Sequence, residues 1–445
     1  MNRWTEGLRQ IRQYPSAIAG AVLILLLVLI SVVTVIAIPY SEAIERWRGG
    51  AVWERNPVNA GPVWADRLLG GNLPTTFTVT PDEDDVETQA FTGGRRVSLP
   101  LTFDYAADGF PSEINLFLST DYADTAPFVR LTWHTPDGRA IPLGSLQVSG
   151  DRRVSISQDW DLQRRLDEVP HVGLFAQDPR ADGAASEVAH GDYRLQIDAI
   201  VFEKDATLDA ELVVYGQVHG LAGTDHQRRD LLLALLWGTP IALAFGLLAT
   251  AGTTVTTLVI AAVGVWYRGW VDGLIQRLTE INMILPLLPI LVMVGTLYST
   301  SIWIMLGVVI LLGIFSAGIK MYRAMLLPIR ESPYIEAAKS YGASDMRIIL
   351  RYMIPRVLPV LIPTFVTLIP TFVFLEASLA LLGLGDPSLP TWGKILNDAQ
   401  DQSALYHGFF YWVLEPAALL MLTGLGFAMF GFALDRIFNP RLRSI

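Results

Sequence analysis

The 445-residue chain is 51% hydrophobic with a mean hydropathy of +0.39, too apolar for an ordinary water-soluble protein. It has no cysteine, which excludes disulfide frameworks and thiolate metal sites. The net charge of −10 divides unevenly: residues 41–225 hold 15 Lys/Arg against 30 Asp/Glu, net −15, and the remainder holds 18 against 13, net +5. Two bodies of opposite electrostatic character share one chain.

Residues 1–15 carry Arg3, Arg9 and Arg12, and Ser16 to Ile38 then gives 23 residues without a charge. As a helix this is roughly 35 Å, enough to cross a bilayer. A cleaved signal peptide would have an apolar core of only ~7–15 residues followed by small residues. The segment therefore reads as an uncleaved anchor with its basic end inside.

From 41 to 225 the long apolar runs vanish. Period-two alternation appears in Val97–Phe103, Ile114–Leu118, Val129–Trp133, Tyr193–Ile197 and Leu208–Tyr215. Asp-Gly pairs at 108–109, 137–138 and 182–183 punctuate these runs as turns do. The pattern predicts an antiparallel sandwich of about 150 residues. The first part of the region is less regular, and Pro81–Glu87 reads as a solvated loop.

Apolar spans return near 238–265, 282–299, 302–321, 357–383 and 411–434. With the anchor they make six. If the N-terminus is cytoplasmic, segments 1–15, 266–281, 320–356 and 435–445 lie inside and hold 15 of the 18 basic residues outside the acidic region. The expected fold is an α-helical polytopic membrane protein with six transmembrane helices, both termini cytoplasmic, and an inserted all-β sandwich-like extracytoplasmic domain. Its parts are 1–40, the acidic β-rich domain 41–225, and a five-helix core 226–445.

Between two spans lies a polar, punctuated stretch, Glu336 to Pro355. Ser332 can cap a helix whose first position is Pro333. Gly342 suits a left-handed stop, and Ser344 can cap a second helix that Pro355 interrupts. Tyr334, Ala338 and Tyr341 fall at i, i+4 and i+7 and predict one short apolar face. The element at 332–342 reads as a docking helix, or more plainly as an amphipathic loop helix resting on the bilayer.

The spacing Glu336-Ala337-Ala338, three residues, Gly342 and then Pro355 resembles the E-A-A…G…P signature of permeases in binding-protein-dependent ABC importers. Tyr352 stands where that family usually has isoleucine or histidine. Further segments resemble the dipeptide, oligopeptide and nickel group: residues 7–38, Gly223-Thr224-Asp225 with Arg229-Asp230, Glu376–Gly385, Pro390-Thr391-Trp392-Gly393 and Asn439-Pro440-Arg441. Arg228 replaces the glycine usual before the Arg-Asp pair. The resemblance covers about 220–445 and the first anchor, and leaves 41–218 as an insertion. It implies that Glu336, Ala337, Ala338, Gly342 and Pro355, flanked by Tyr334 and Tyr341, form a coupling helix. It implies as partners two ATP-binding-cassette ATPase subunits, a second and different permease subunit, an extracytoplasmic substrate-binding protein and the lipid bilayer, and no nucleic acid. The implied location is a prokaryotic inner membrane and the implied cargo a peptide or similar small solute. The insertion is expected to dock the binding protein or a neighbouring subunit.

Catalysis by the chain itself is not expected. A phosphate loop needs G-x-x-x-x-G-K-[ST], and Gly313–Lys320 (GIFSAGIK) puts isoleucine in the lysine position, as packing glycines inside a span would. The six histidines show no HxxxH or HExxH spacing, no serine sits in a G-x-S-x-G elbow, and neither metal nor cofactor is expected. Glu376, within an apolar stretch, is a candidate for the translocation path or a permease interface, or else a helix-end residue near headgroups. Glu280 beside Arg277 fits the helix-end position. Pro286, Pro289, Pro363 and Pro370 are expected to kink or break their helices. Arg347 and Arg351 suit a positive-inside role. The rival class is a membrane-anchored receptor or channel whose β ectodomain works without an ATPase. A secondary transporter is disfavoured because the sequence shows no internal repeat or paired broken helices around a midplane site.

Overall fold

A computed structural model describes residues 14–177, 187–203 and 205–438. Arg3, Arg9 and Arg12, the Asp182-Gly183 turn and the Asn439-Pro440-Arg441 tail lie outside the described residues. The chain forms two compact units: one from the chain up to Arg48 together with Leu233 onward, the other from Gly49 to Leu232.

The first unit is helical. Helix α1 (Pro15–Ala37) is apolar all round, and its buried residues Ala17, Gly20, Leu27 and Thr34 form one stripe. A Cβ on Gly20 would lie 2.7 Å from the Gly426 carbonyl oxygen, so the two backbones touch there. Without a hydrophobic drive between helices in lipid, this close approach is what holds such a pair. Helix α2 runs Leu231–Tyr267 with Pro240 inside it. Next come α3 (Gly269–Ile284) and α4 (Leu287–Leu297), bent by 76° at Leu285-Pro286, then α5 (Ile302–Ile314) and α6 (Ala317–Arg330), bent by 45° at Phe315-Ser316. Helix α7 (Pro333–Ser340) follows, then a first turn Asp345–Ile348, α8 (Ile354–Leu379), α9 (Trp392–Asp401) and α10 (Tyr411–Phe438). Among the described residues four helices are long and apolar enough to cross a membrane, or up to six segments if each bent pair is one span.

Two expectations change here. Paired broken helices are present after all. In the second pair the carbonyls freed by the break find side-chain donors: Asn282 Nδ2 donates to Leu312 O at 2.8 Å and Phe315 O at 3.0 Å, and Thr257 Oγ1 donates to Ile314 O at 2.9 Å. Irregular backbone inside a membrane persists only when satisfied in this way. Pro355 does not interrupt its helix: a π-helical turn at Ile349–Met353 takes up the missing N–H and the ring, and the helix continues from Asp345 to Leu384. Pro363 and Pro370 likewise lie inside continuous helix, whereas Pro286 stands at a break.

The second unit is β-rich. Strands β1 (Phe77–Val79), β9 (Thr207–Tyr215), β4 (Glu113–Asp121) and β7 (Arg152–Ser155) form one antiparallel sheet in the order β1-β9-β4-β7. Strands β2 (Glu87–Phe91), β3 (Gly94–Tyr105), β8 (Gly191–Val201), β5 (Phe128–His134) and β6 (Ala140–Gln147) form the other, in the order β2-β3-β8-β5-β6. Each of the five alternating runs lies in a strand, and Glu87, read as loop, opens β2. Inward residues of both sheets share one core that includes Leu101, Leu116, Trp133 and Val214. Phe175 and Tyr193 stack with ring centroids 4.7 Å apart. Buried aromatic polar tips find partners: Tyr105 donates to Gly109 O and Tyr193 to Ala189 O, both at 2.6 Å.

The lead-in to α2 contains an unusual residue. Arg228 adopts φ +65°, the conformation glycine takes without strain. Its guanidinium pairs with Glu113, donates to Asn56 O at 2.7 Å and stacks 4.8 Å over Tyr215. Burial pushes the Glu113 carboxyl up, but the Arg228, Asn115 and Arg153 contacts more than offset it and hold the group below the usual carboxylate range.

Candidate functional site

Helix α7 starts with Ser332 extended and Pro333 in its first turn, but the expected side-chain cap is not made. Ser332 Oγ donates instead to Pro328 O at 3.1 Å, and Ser344 caps nothing with its side chain. The C-terminus is a complete Schellman stop. Gly342 has φ +77°, its N–H donates to Lys339 O at 2.9 Å, and Ala343 N–H donates to Ala338 O at 3.1 Å. No side chain would have a steric neighbour at Gly342, so the backbone conformation alone demands glycine there.

The single face of Tyr334, Ala338 and Tyr341 is not observed. Ala338 is buried in the bundle with Ile335, against residues that include Ile319, Tyr322 and Ile348. Tyr334 is half-buried with the Arg356 guanidinium 5.1 Å over its ring, while Tyr341 is 92% exposed. The outward surface is instead Glu336, Ala337, Ser340, Tyr341 and Gly342. The buried face is rotated by about one residue because β-branched Ile335, beside Tyr334, takes the core position. Ile335, three residues before Ala338, is the signal in the sequence for this face.

Several other contacts were not legible in the sequence. Trp266, at the end of α2, is buried beneath two cations: Lys339 Nζ lies 4.5 Å from its ring centroid and Arg330 Cζ 5.8 Å. Nearby, Arg323 grips Asp272 with two nitrogens, Nε to Oδ1 at 2.9 Å and Nη2 to Oδ2 at 2.7 Å, tying α6 to α3. Arg268 pairs with Glu331 where α6 gives way to α7. Helix α7 is thus attached to α2 through Trp266 and to the α8 side through Tyr334 and Arg356. Arg347 and Arg351 are exposed.

Glu376 is 6% exposed inside α8, with Thr391 beside it. It is buried rather than on an open face of this subunit. Glu280 does occupy a helix-end position, 3.7 Å from Arg277, and is half-exposed. Pro355 sits above the π-helical turn, apart from the exposed face of α7. Gly313 is a packing glycine, since a Cβ there would meet Thr253 Cγ2 at 2.4 Å. Among the described residues no cluster of metal-ligating side chains occurs.

Comparison with known proteins agrees with this arrangement. Residues 254–444 match the family described as binding-protein-dependent transport system inner membrane component. The glutathione transport system permease protein GsiD of Escherichia coli O6:K15:H31 is 32% identical over 231 residues, covering 50% of this chain and 72% of that protein. GsiD of Pectobacterium atrosepticum is 29% identical over 225 residues, covering 50% and 73%. Members of this family are transport subunits that work with separate ATPase subunits and a binding protein. The chain therefore belongs to the binding-protein-dependent ABC importer permeases, in the dipeptide, oligopeptide and nickel group, as a polytopic inner-membrane component.

Proposed function

We propose that this chain is one of two different permease subunits in an ATP-driven importer of peptides or a similar small solute. It has six spans, counting each bent pair as one, with both termini cytoplasmic. The acidic two-sheet region is an extracytoplasmic sandwich that docks the binding protein or the neighbouring subunit. Two ATPases engage α7 from the cytoplasm and drive the bundle between inward and outward openings. Moving such an equilibrium from 1:99 to 99:1 requires ~5.5 kcal/mol of differential interaction, which ATP turnover supplies. The peptide assignment rests on the named transport role of the relatives.

The observation that carries the reading is the exposure of Glu336, Ala337 and Tyr341 on a helix whose other face, Ile335 and Ala338, is anchored in the bundle. One face is fixed to what must move, and the other is free for what moves it. The test is co-purification and uptake with Glu336→Arg. Because Glu336 is exposed, the fold should survive, and ATPase attachment should weaken about tenfold or more, ~1.4 kcal/mol. Unchanged attachment and unchanged ATP-dependent uptake would refute the coupling role.

A further inference from the structure

A cavity of about 450 Å³ opens inside the helical unit where the two helix breaks meet α2 and α8. Its volume falls within the ~300–1,000 Å³ of small-molecule sites. Leu285 and Leu287 line it from the first break, and Ser316 and Ala317 from the second. Helices α4 and α6 both begin there, and neither has its first turn capped by a side chain. The two helix N-termini, with their positive dipole ends and no side-chain acceptor, therefore lie beside the space.

An independent observation comes from α2. Threonines within helices usually return their hydroxyl to the carbonyl four residues back, as Thr239 does at 3.1 Å and Thr253 at 2.7 Å. Thr254 does not. It lines the cavity, is only 3% exposed, and its Oγ1 has no hydrogen-bond partner. No Asp, Glu, Lys, Arg or His lines the cavity, so its polarity comes from hydroxyls, Asn282 and helix ends. Asn282 and Thr257 are already committed to the broken backbone. Thr254 Oγ1, by contrast, has no such commitment.

We propose that this cavity is a binding station within the single subunit for an acceptor oxygen of a small peptide, with the Thr254 hydroxyl as donor beside the two helix N-termini. The acceptor is a terminal carboxylate or a backbone carbonyl; both match uncharged donors and helix dipoles. The proposal rests on the permease reading and deepens it.

The chain has no cysteine, so Thr254→Cys places a single thiol in it. In the assembled transporter in nanodiscs, modification of this chain by a small methanethiosulfonate is followed by mass. Probes are an equimolar mixture of free-acid tripeptides and the same mixture C-terminally amidated. Protection at ten times the dissociation constant should slow labelling about tenfold. Protection by the free acids alone assigns the carboxylate, protection by both assigns the carbonyl, and protection by neither overturns the proposal. Thr254→Val and Thr254→Ser provide the second measurement. Removing an orphaned buried hydroxyl should raise the melting temperature of the peptide-free complex, while the uptake KM rises about tenfold, ~1.4 kcal/mol of binding; Thr254→Ser should keep the wild-type KM. A Thr254→Val complex with an unchanged KM overturns the station yet leaves the permease reading intact. Wild-type proteoliposomes without ATP-dependent peptide uptake overturn both.

Discussion

Replacing Arg228 separates two energies that the structure sets against each other. The residue holds φ +65°, which costs a non-glycine residue roughly 1–2 kcal/mol. Against this stand the pair with Glu113, with side chains only 14% and 13% exposed, the Asn56 bond and the Tyr215 stacking. Breaking a fully buried pair costs about 3–5 kcal/mol. Glu113 would keep Arg153 at 3.0 Å and Asn115, so the loss should lie at the lower end, about 3 kcal/mol. Arg228→Ala keeps the strained backbone and loses the contacts, an expected destabilisation of about 3 kcal/mol. Arg228→Gly loses the same contacts but relieves about 1 kcal/mol of strain, leaving about 2 kcal/mol. Hydrogen exchange of β4 and β9 amides in the full chain, reconstituted in nanodiscs, reads both. A glycine variant as stable as wild type, or alanine and glycine variants of equal stability, would refute this balance of strain against pairing.

The same pair sets a pH dependence. The Glu113 carboxyl is held below its usual 4.5 in the folded state, so its stabilisation is fully present above that value and is lost as pH falls through the folded value. Exchange protection of β4 should therefore drop on acidification below pH ~4.5, and the drop should be smaller in Glu113→Gln; identical acid profiles would count against it. Trp266→Leu removes both cation contacts, on the order of 1–2 kcal/mol each around a buried ring. ATPase subunits should still co-purify while solute moved per ATP falls; a matching fall in attachment would show that Trp266 merely holds the fold. Asn282→Leu leaves the Leu312 and Phe315 carbonyls without their side-chain donor, an expected cost of about 2 kcal/mol. It should appear as a lower melting temperature of the purified complex, and no change would mean that the break is satisfied otherwise.

What the sequence by itself determined was whatever depends on neighbours along the chain. Period-two alternation located five strands, uncharged length located the long apolar helices, and Gly342 foretold a left-handed stop that the Schellman bonds complete. Local chemistry decides those features because each is a matter of a few consecutive dihedrals and side chains. Only the tertiary structure decided which face of α7 looks outward, because Ile335 and Tyr334 compete for one core position and packing chooses between them. It likewise decided that Pro355 would be absorbed by a wider turn and that Arg228 could stand in a glycine's place. The break at Phe315 survives because Thr257 and Asn282, distant in sequence, supply the donors. Such arrangements depend on polar groups being satisfied across the bundle, and no window of sequence contains both partners.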